Sequence, residues 1–116
     1  MHDHTPRHGG VVGMAGTRHV EGVALRDGVL RFYLTDFART PLPLDGVRGT
    51  ATVRGAGIDE QRLDLTARDG ALEARGAPFA GDLVDVRLEA RLPGERLLID
   101  FTLPVTPPGA AGAAAR

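Results

Sequence analysis

The run from Leu83 to Leu92, in which apolar and polar residues alternate strictly from Val84 onward, constrains the fold more than any other feature of this sequence. The period of two predicts a β-strand that buries one face and exposes the other. Pro93-Gly94 is a turn signal, and the alternation resumes immediately after it, from Glu95 to Leu103. These two runs therefore predict an antiparallel hairpin.

Shorter runs of the same kind fill the rest of the chain. Asp27-Gly28 and Asp69-Gly70 each separate two apolar runs, and Asp-Gly pairs favour the positive φ angles of a type I′ hairpin turn. The segment 39–44 contains Pro41 and Pro43, which predicts an edge segment or a crossover because proline lacks the N–H that a central strand needs. The further predicted strands are 11–14, 18–25, 29–35, 49–54, 61–66 and 71–74.

About seven or eight strands at this spacing, with no convincing helix, predict an all-β fold. The architecture expected is an immunoglobulin-like antiparallel β-sandwich, with a small barrel as the alternative. The sequence is expected to divide into three segments: a flexible N-terminal tail over 1–7, the β-sandwich domain over 8–103, and a disordered Pro/Gly/Ala tail over 104–116.

Composition excludes several classes of function. The formal net charge is −1 and basic residues alternate with acidic ones, so no basic stripe for nucleic acid is expected. No apolar run is long enough for membrane insertion. The sequence has neither serine nor cysteine, which removes the two commonest nucleophiles and any thiolate metal site. Asp36, at the end of a predicted strand, is expected to cap a turn. We predict that the protein is not an enzyme.

All four histidines and both methionines lie within the first 19 residues. Imidazole binds copper, zinc and nickel, and a thioether favours Cu(I). His19 and Glu21 are two apart on a predicted strand, so they project from the same face. A turn at Ala15-Gly16 would bring the 11–14 strand alongside the strand that carries His19 and Glu21. The candidate metal ligands are therefore His8, His19, Met14 and Glu21.

Ordinary structural roles account for the same residues one by one. His2 and His4 fit a flexible polar tail. A strand histidine beside a glutamate is commonly a surface hydrogen bond, and a methionine in an apolar run is commonly core filler. Only the clustering favours a metal site, and whether His2 and His4 take part is left open.

A resemblance adds to this evidence. The run HGGVVGMAGTRHVE over 8–21, the run LRFYLTD over 30–36 and the Pro41-Leu42 segment together resemble a family of small bacterial domains. These domains are found with the adaptor subunits of heavy-metal efflux pumps and among metal-resistance proteins. The resemblance covers roughly residues 8–54. Gly22 departs from the apolar residue expected there, which predicts a bulge.

The resemblance implies a periplasmic or otherwise extracytoplasmic domain that handles a transition metal, with copper, as Cu(I) or Cu(II), foremost and zinc as the other choice. His8 and His19 match the family's two histidines, Glu21 its acidic residue and Met14 a frequent methionine position. The implied partners are the metal ion and an efflux adaptor or other periplasmic protein. A cytoplasmic location is not excluded by the sequence.

The rival hypothesis is an immunoglobulin-like protein-protein interaction module with no metal role. It would present an edge strand or a loop face to another protein, and its histidines would be incidental. A homodimer through an exposed edge strand fits either hypothesis.

Overall fold

The computed structural model describes residues 5–107, and the predictions made for 1–4 and 108–116 lie outside those residues. The described chain is all-β, as predicted. It contains nine strands: β1 Val11–Ala15, β2 Arg18–Leu25, β3 Val29–Thr35, β4 Arg48–Gly55, β5 Ile58–Asp64, β6 Thr66–Arg68, β7 Ala71–Arg75, β8 Leu83–Leu92 and β9 Glu95–Thr106. None of the described segments is a helix long and apolar enough to cross a membrane.

The strands form one mostly antiparallel sheet in the order β5-β4-β8-β9-β2-β3-β7-β6, with β1 paired to β2 beside this path. One parallel contact, where Ala24 pairs with Val105 and Leu25 with Thr106, joins the β9 side to the β2 side. Because β5 continues directly into β6, the two ends of the order lie together and the sheet is nearly closed into a barrel.

Alternation in the sequence determines which face is buried. The inward residues of β8 and β9 are buried, and the residues between them are exposed or half-buried. Leu30, Phe32 and Leu34 of β3 are buried in the same core, as predicted. The rings of Phe32 and Phe101 lie 6.1 Å apart, so β3 and β9 pack against each other across the interior.

Three of the predicted strands have the predicted bounds: β2, β3 and β8. The strand predicted over 61–66 is wrong as a single element, because the chain leaves β5 at Asp64 and begins β6 at Thr66. β5 pairs with β4, whereas β6 pairs with β7. The 39–44 segment is the crossover between β3 and β4, and it touches β3 through a bridge between Thr35 and Pro41.

The two Asp-Gly turns differ. Asp69 and Gly70 both have positive φ, 50° and 78°, which fits the predicted type I′ turn. At the other pair only Gly28 has positive φ, and Ala24 pairs with Leu30. The type I′ prediction for Asp27-Gly28 is therefore wrong: a three-residue connection, closed by a hydrogen bond from Gly28 N to Leu25 O, joins β2 to β3.

Gly22 does not form the predicted bulge. Its pairing with Phe32 continues the regular register of β2 and β3 on both sides. A Cβ at this position would lie 3.2 Å from a methyl carbon of Leu103 and 3.5 Å from the Phe101 ring. Glycine at position 22 therefore leaves room for the core residues of β9.

The ends of the domain extend beyond the predicted boundaries. β9 continues to Thr106, and Val105 is buried. At the other end, Arg7 N donates a hydrogen bond to the carboxylate of Glu21. Residue 7 and residues 104–106 therefore belong to the folded unit.

Candidate functional site

The candidate ligands lie on the outer face of β2. The inner face carries Val20 and Gly22, so His19 and Glu21 point away from the barrel interior, on one face as predicted. Both are nevertheless buried, at 1% and 3% exposure. Residues 7–10 and the segment after β3 contact these two side chains from outside, so a small second layer covers this part of the sheet.

Glu21 is the anchor for the first part of that layer. Its Oε1 accepts a hydrogen bond from Arg7 N at 2.9 Å, and its Oε2 accepts from His8 N at 2.8 Å and Gly10 N at 2.9 Å. His8 Nδ1 lies 3.0 Å from Oε1. Four donors on two carboxylate oxygens use about all the acceptor positions that the group has.

Gly10 permits this wrapping because the backbone passes very close to β2. A Cβ at position 10 would collide with the carbonyl oxygen of Gly22. Gly9 has a φ of 76°, a left-handed conformation that glycine adopts readily. The two glycines after His8 therefore allow the backbone to turn its N–H groups toward the carboxylate.

Hydrogen bonding outweighs burial at Glu21. Burial raises the pKa of this carboxyl. The hydrogen bonds from Arg7, Gly10 and His8 together lower the pKa by more than burial raises it, so the net pKa lies below the ordinary 4.5. The group is therefore a carboxylate at neutral pH. A carboxylate can only accept, so His8 Nδ1 must carry the proton of their shared hydrogen bond.

The ring of His8 is held flat against Tyr33. Their centroids are 3.5 Å apart and their planes differ by 2°. Tyr33 stands on β3 directly opposite Glu21, so the ring and the carboxylate fix His8 from two directions. The His8 side chain is 28% exposed, so it is partly accessible to solvent.

His19 is oriented in a similar way from the other side. Its Nδ1 lies 3.2 Å from the carbonyl oxygen of Asp36. A carbonyl oxygen only accepts, so this hydrogen bond places the proton on Nδ1. The Asp36 side chain caps the following turn, as predicted, by accepting from Thr40 N at 2.9 Å.

A cavity of about 210 Å³ connects these groups. His8, His19 and Glu21 all line it, together with Tyr33 and Thr35 of β3. His19 stands opposite Thr35, and Glu21 stands opposite Tyr33, so the two imidazoles approach the same short stretch of β3. Neighbouring same-face positions on a strand are roughly 7 Å apart.

Met14 occupies a different place. It pairs with His19 across β1 and β2, on the same outer face, and is half-buried. It does not line the cavity. Within residues 5–107 no group of three or more histidine, aspartate or glutamate side chains has an arrangement that could hold a metal ion. Three of the four predicted ligands thus share one cavity. The two imidazoles are the groups in this cavity that could donate a lone pair to a metal ion.

Sequence reasoning did not single out Tyr33, Arg7 or Arg39 for this site. Arg39 is buried and has a φ of 69°, and its Nη2 donates to Thr5 O at 3.1 Å. Arg7 Nη1 in turn donates to Arg39 O at 2.9 Å. These contacts join the N-terminal segment to the crossover after β3, a pairing between residues more than thirty apart that no local pattern indicates.

Comparison with protein-family models, with curated proteins and with solved structures finds no match to this chain.

Proposed function

We propose that this protein is a transition-metal-binding domain, with copper the foremost candidate, in which His8 and His19 supply the ligands through their Nε2 atoms. One observation carries the proposal. Each imidazole that lines the cavity has its Nδ1 hydrogen-bonded to an oxygen acceptor, which in the neutral ring places the lone pair that can coordinate a metal on Nε2.

Metal-binding histidines characteristically donate their other ring N–H to a carboxylate or a backbone carbonyl. Both kinds of partner are present: the Glu21 carboxylate for His8 and the Asp36 carbonyl for His19. Since the lone pairs of Glu21 are already used by four donors, we assign it as a positioning residue and not as a ligand. Met14 stays a candidate thioether ligand for Cu(I), adjacent to His19 on the outer face.

A site with two protein ligands leaves coordination positions open. Structural metal sites are usually closed by four protein ligands, whereas open sites accept an exogenous ligand. The metal would therefore be a cargo that exchanges with a partner. The periplasmic location and the efflux-adaptor partner implied by the sequence resemblance stay predictions.

For the architecture, we infer an immunoglobulin-like sandwich with two layers, one of β5-β4-β8-β9 and one of β1-β2-β3-β7-β6. Continuous pairing within each group, and the single short parallel contact between them, support this division. The packing of Phe32 against Phe101 is the kind of contact expected between facing layers.

Metal titration of the purified protein tests the function. Cu(I), Cu(II) and Zn(II) are titrated in competition with a chromophoric chelator, in a background carrying His2→Ala and His4→Ala so that the two remaining histidines are measured alone. We expect tight binding of at least one of these ions, and its loss in His8→Ala and in His19→Ala. Glu21→Gln keeps both imidazoles but removes the acceptor charge, and should weaken binding by about 10- to 100-fold.

Glu95→Gln is the matched control, because Glu95 is paired with Arg18 away from the cavity. It should bind metal like the parent protein. If the parent protein binds none of the three ions tightly, or if His8→Ala and His19→Ala both bind as well as the parent, the metal proposal is wrong. The interaction module without metal would then be the better hypothesis.

A further inference from the structure

We propose that a second site, formed by arginines at one end of the outer face of β4, β8 and β9, binds a phosphate group, either free or as a monoester. The proposal is independent of the metal site. It starts from the register of the sheet: Arg48 of β4 pairs directly with Arg91 of β8, and Arg91 pairs directly with Arg96 of β9.

Like charges directly opposite each other across paired strands are destabilising. Adjacent strands are about 4.8 Å apart, so three guanidinium stems stand side by side in a row. The rest of this face has the opposite arrangement. Arg87, for example, pairs with Asp100 through two hydrogen bonds of 2.8 and 3.2 Å. The row of three arginines is thus a local departure from a face that elsewhere places cation beside anion.

Little in the described chain neutralises this row. Glu89 lies 3.1 Å from Arg96 Nη2. Within residues 5–107, neither Arg48 nor Arg91 forms an ion pair with a carboxylate. Their charge is therefore available to an anion from solution.

The shape of the surface matches the charge. A cavity of about 240 Å³ lies between the arginine stems and is lined by Arg48, Arg62, Arg91 and Arg96, with Glu89, Gly49, Thr50 and Ala90. Guanidinium groups bind phosphate oxygens through paired N–H donors. Several guanidinium groups around a cavity of this size suit one phosphate group with a small organic substituent, and Glu89 on the same wall disfavours a longer polyanion.

Binding to metal-free protein tests the assignment. ¹H–¹⁵N spectra are recorded during titration with inorganic phosphate, with glycerol 3-phosphate and with sodium chloride at matched ionic strength. We expect saturable shifts confined to β4, β5, β8 and β9, the strands that line the cavity, with at least one of the two phosphates, and none with chloride. A response to inorganic phosphate alone identifies free phosphate as the ligand, and a response to both identifies the phosphate group itself.

Arg91→Gln removes the central charge, and Arg87→Gln is the matched control on the same strand and face. Arg91→Gln should weaken phosphate binding at least tenfold, and without phosphate it should raise Tm by roughly 2 °C because it relieves the repulsion. Arg87→Gln should bind like wild type. No saturable shift with either phosphate, equal binding by Arg91→Gln, or equal shifts with chloride would each overturn the proposal.

Discussion

Replacing Glu21 with alanine removes the acceptor for four hydrogen bonds at once, and its effect on stability can be estimated from the structure. The donors are three backbone N–H groups, from Arg7, His8 and Gly10, and the Nδ1–H of His8. The carboxylate is 3% exposed. No other single side chain in the second layer holds so many donors among the described residues.

The magnitude follows from what the donors do after the substitution. Hydrogen bonds to a charged group contribute about 1.5–3 kcal/mol each, so four give an upper limit of roughly 6–12 kcal/mol. Residues 7–10 lie at the surface, and their N–H groups regain water once the carboxylate is gone. We therefore expect each hydrogen bond to contribute only about 0.5–1 kcal/mol, the lower part of the range for an ordinary hydrogen bond, so the four together give about 3 kcal/mol in the free energy of unfolding.

Chemical denaturation and amide hydrogen exchange together measure this effect. Glu21→Ala should unfold at lower denaturant concentration, and the amides of His8 and Gly10 should lose protection while those of β8 keep theirs. Glu95→Ala is the control: its half-exposed ion pair with Arg18 should contribute less than about 1 kcal/mol. A loss below about 0.5 kcal/mol for Glu21→Ala, with His8 and Gly10 still protected, would refute the anchoring role.

Three further predictions concern the same layer. Because the folded pKa of Glu21 lies below the ordinary 4.5, its stabilising effect is complete above that pH and is lost as pH falls through the folded value. The difference in unfolding free energy between metal-free wild type and Glu21→Gln should therefore shrink from pH 6 to pH 3, and a constant difference in denaturation curves would contradict this. Gly10→Ala should cost about 2 kcal/mol, since its Cβ would collide with the Gly22 carbonyl; unchanged denaturation would show that residues 7–10 can shift freely. Tyr33→Leu removes the ring that stacks on His8, so it should weaken metal binding, whereas His19→Ala should abolish it. Competition with a chelator measures both affinities. An unchanged affinity in Tyr33→Leu would show that the stacking does not contribute to metal binding.

The strands were predictable because their alternation is a local property. β2, β3 and β8 have the predicted bounds, and the buried residues of β3 are those that the pattern indicates. The split between β5 and β6 was not predictable. It depends on which strand each half meets, and the sequence from Gln61 to Thr66 is as regular as that of one continuous strand.

The site was predictable in part. The sequence placed His19 and Glu21 on one face and brought β1 alongside β2, both of which the structure confirms. A two-residue turn at Asp27-Gly28 would have paired Glu21 with Leu34, whereas the three-residue connection pairs it with Tyr33. A shift of one residue exchanges the two faces of a strand, so the stacking partner of His8 could not be inferred from the turn sequence.

Charge patterning shows the same limit. Along the chain, Arg48, Arg91 and Arg96 stand near acidic residues, and no basic stripe is visible. Two pairing registers bring them into one row. Surface charge on a sheet depends on register, which a one-dimensional count of neighbours does not contain.

The short parallel contact between β2 and β9 also has a kinetic consequence. Ala24 and Val105 are separated by most of the chain, whereas the Glu21 anchor and its donors lie within 14 residues of one another. Local contacts form before distant ones because shorter loops lose less entropy on closure. We expect the N-terminal hairpin and its wrapped carboxylate to assemble early in refolding, and the pairing of β2 with β9 to be the slow step that completes the native sheet.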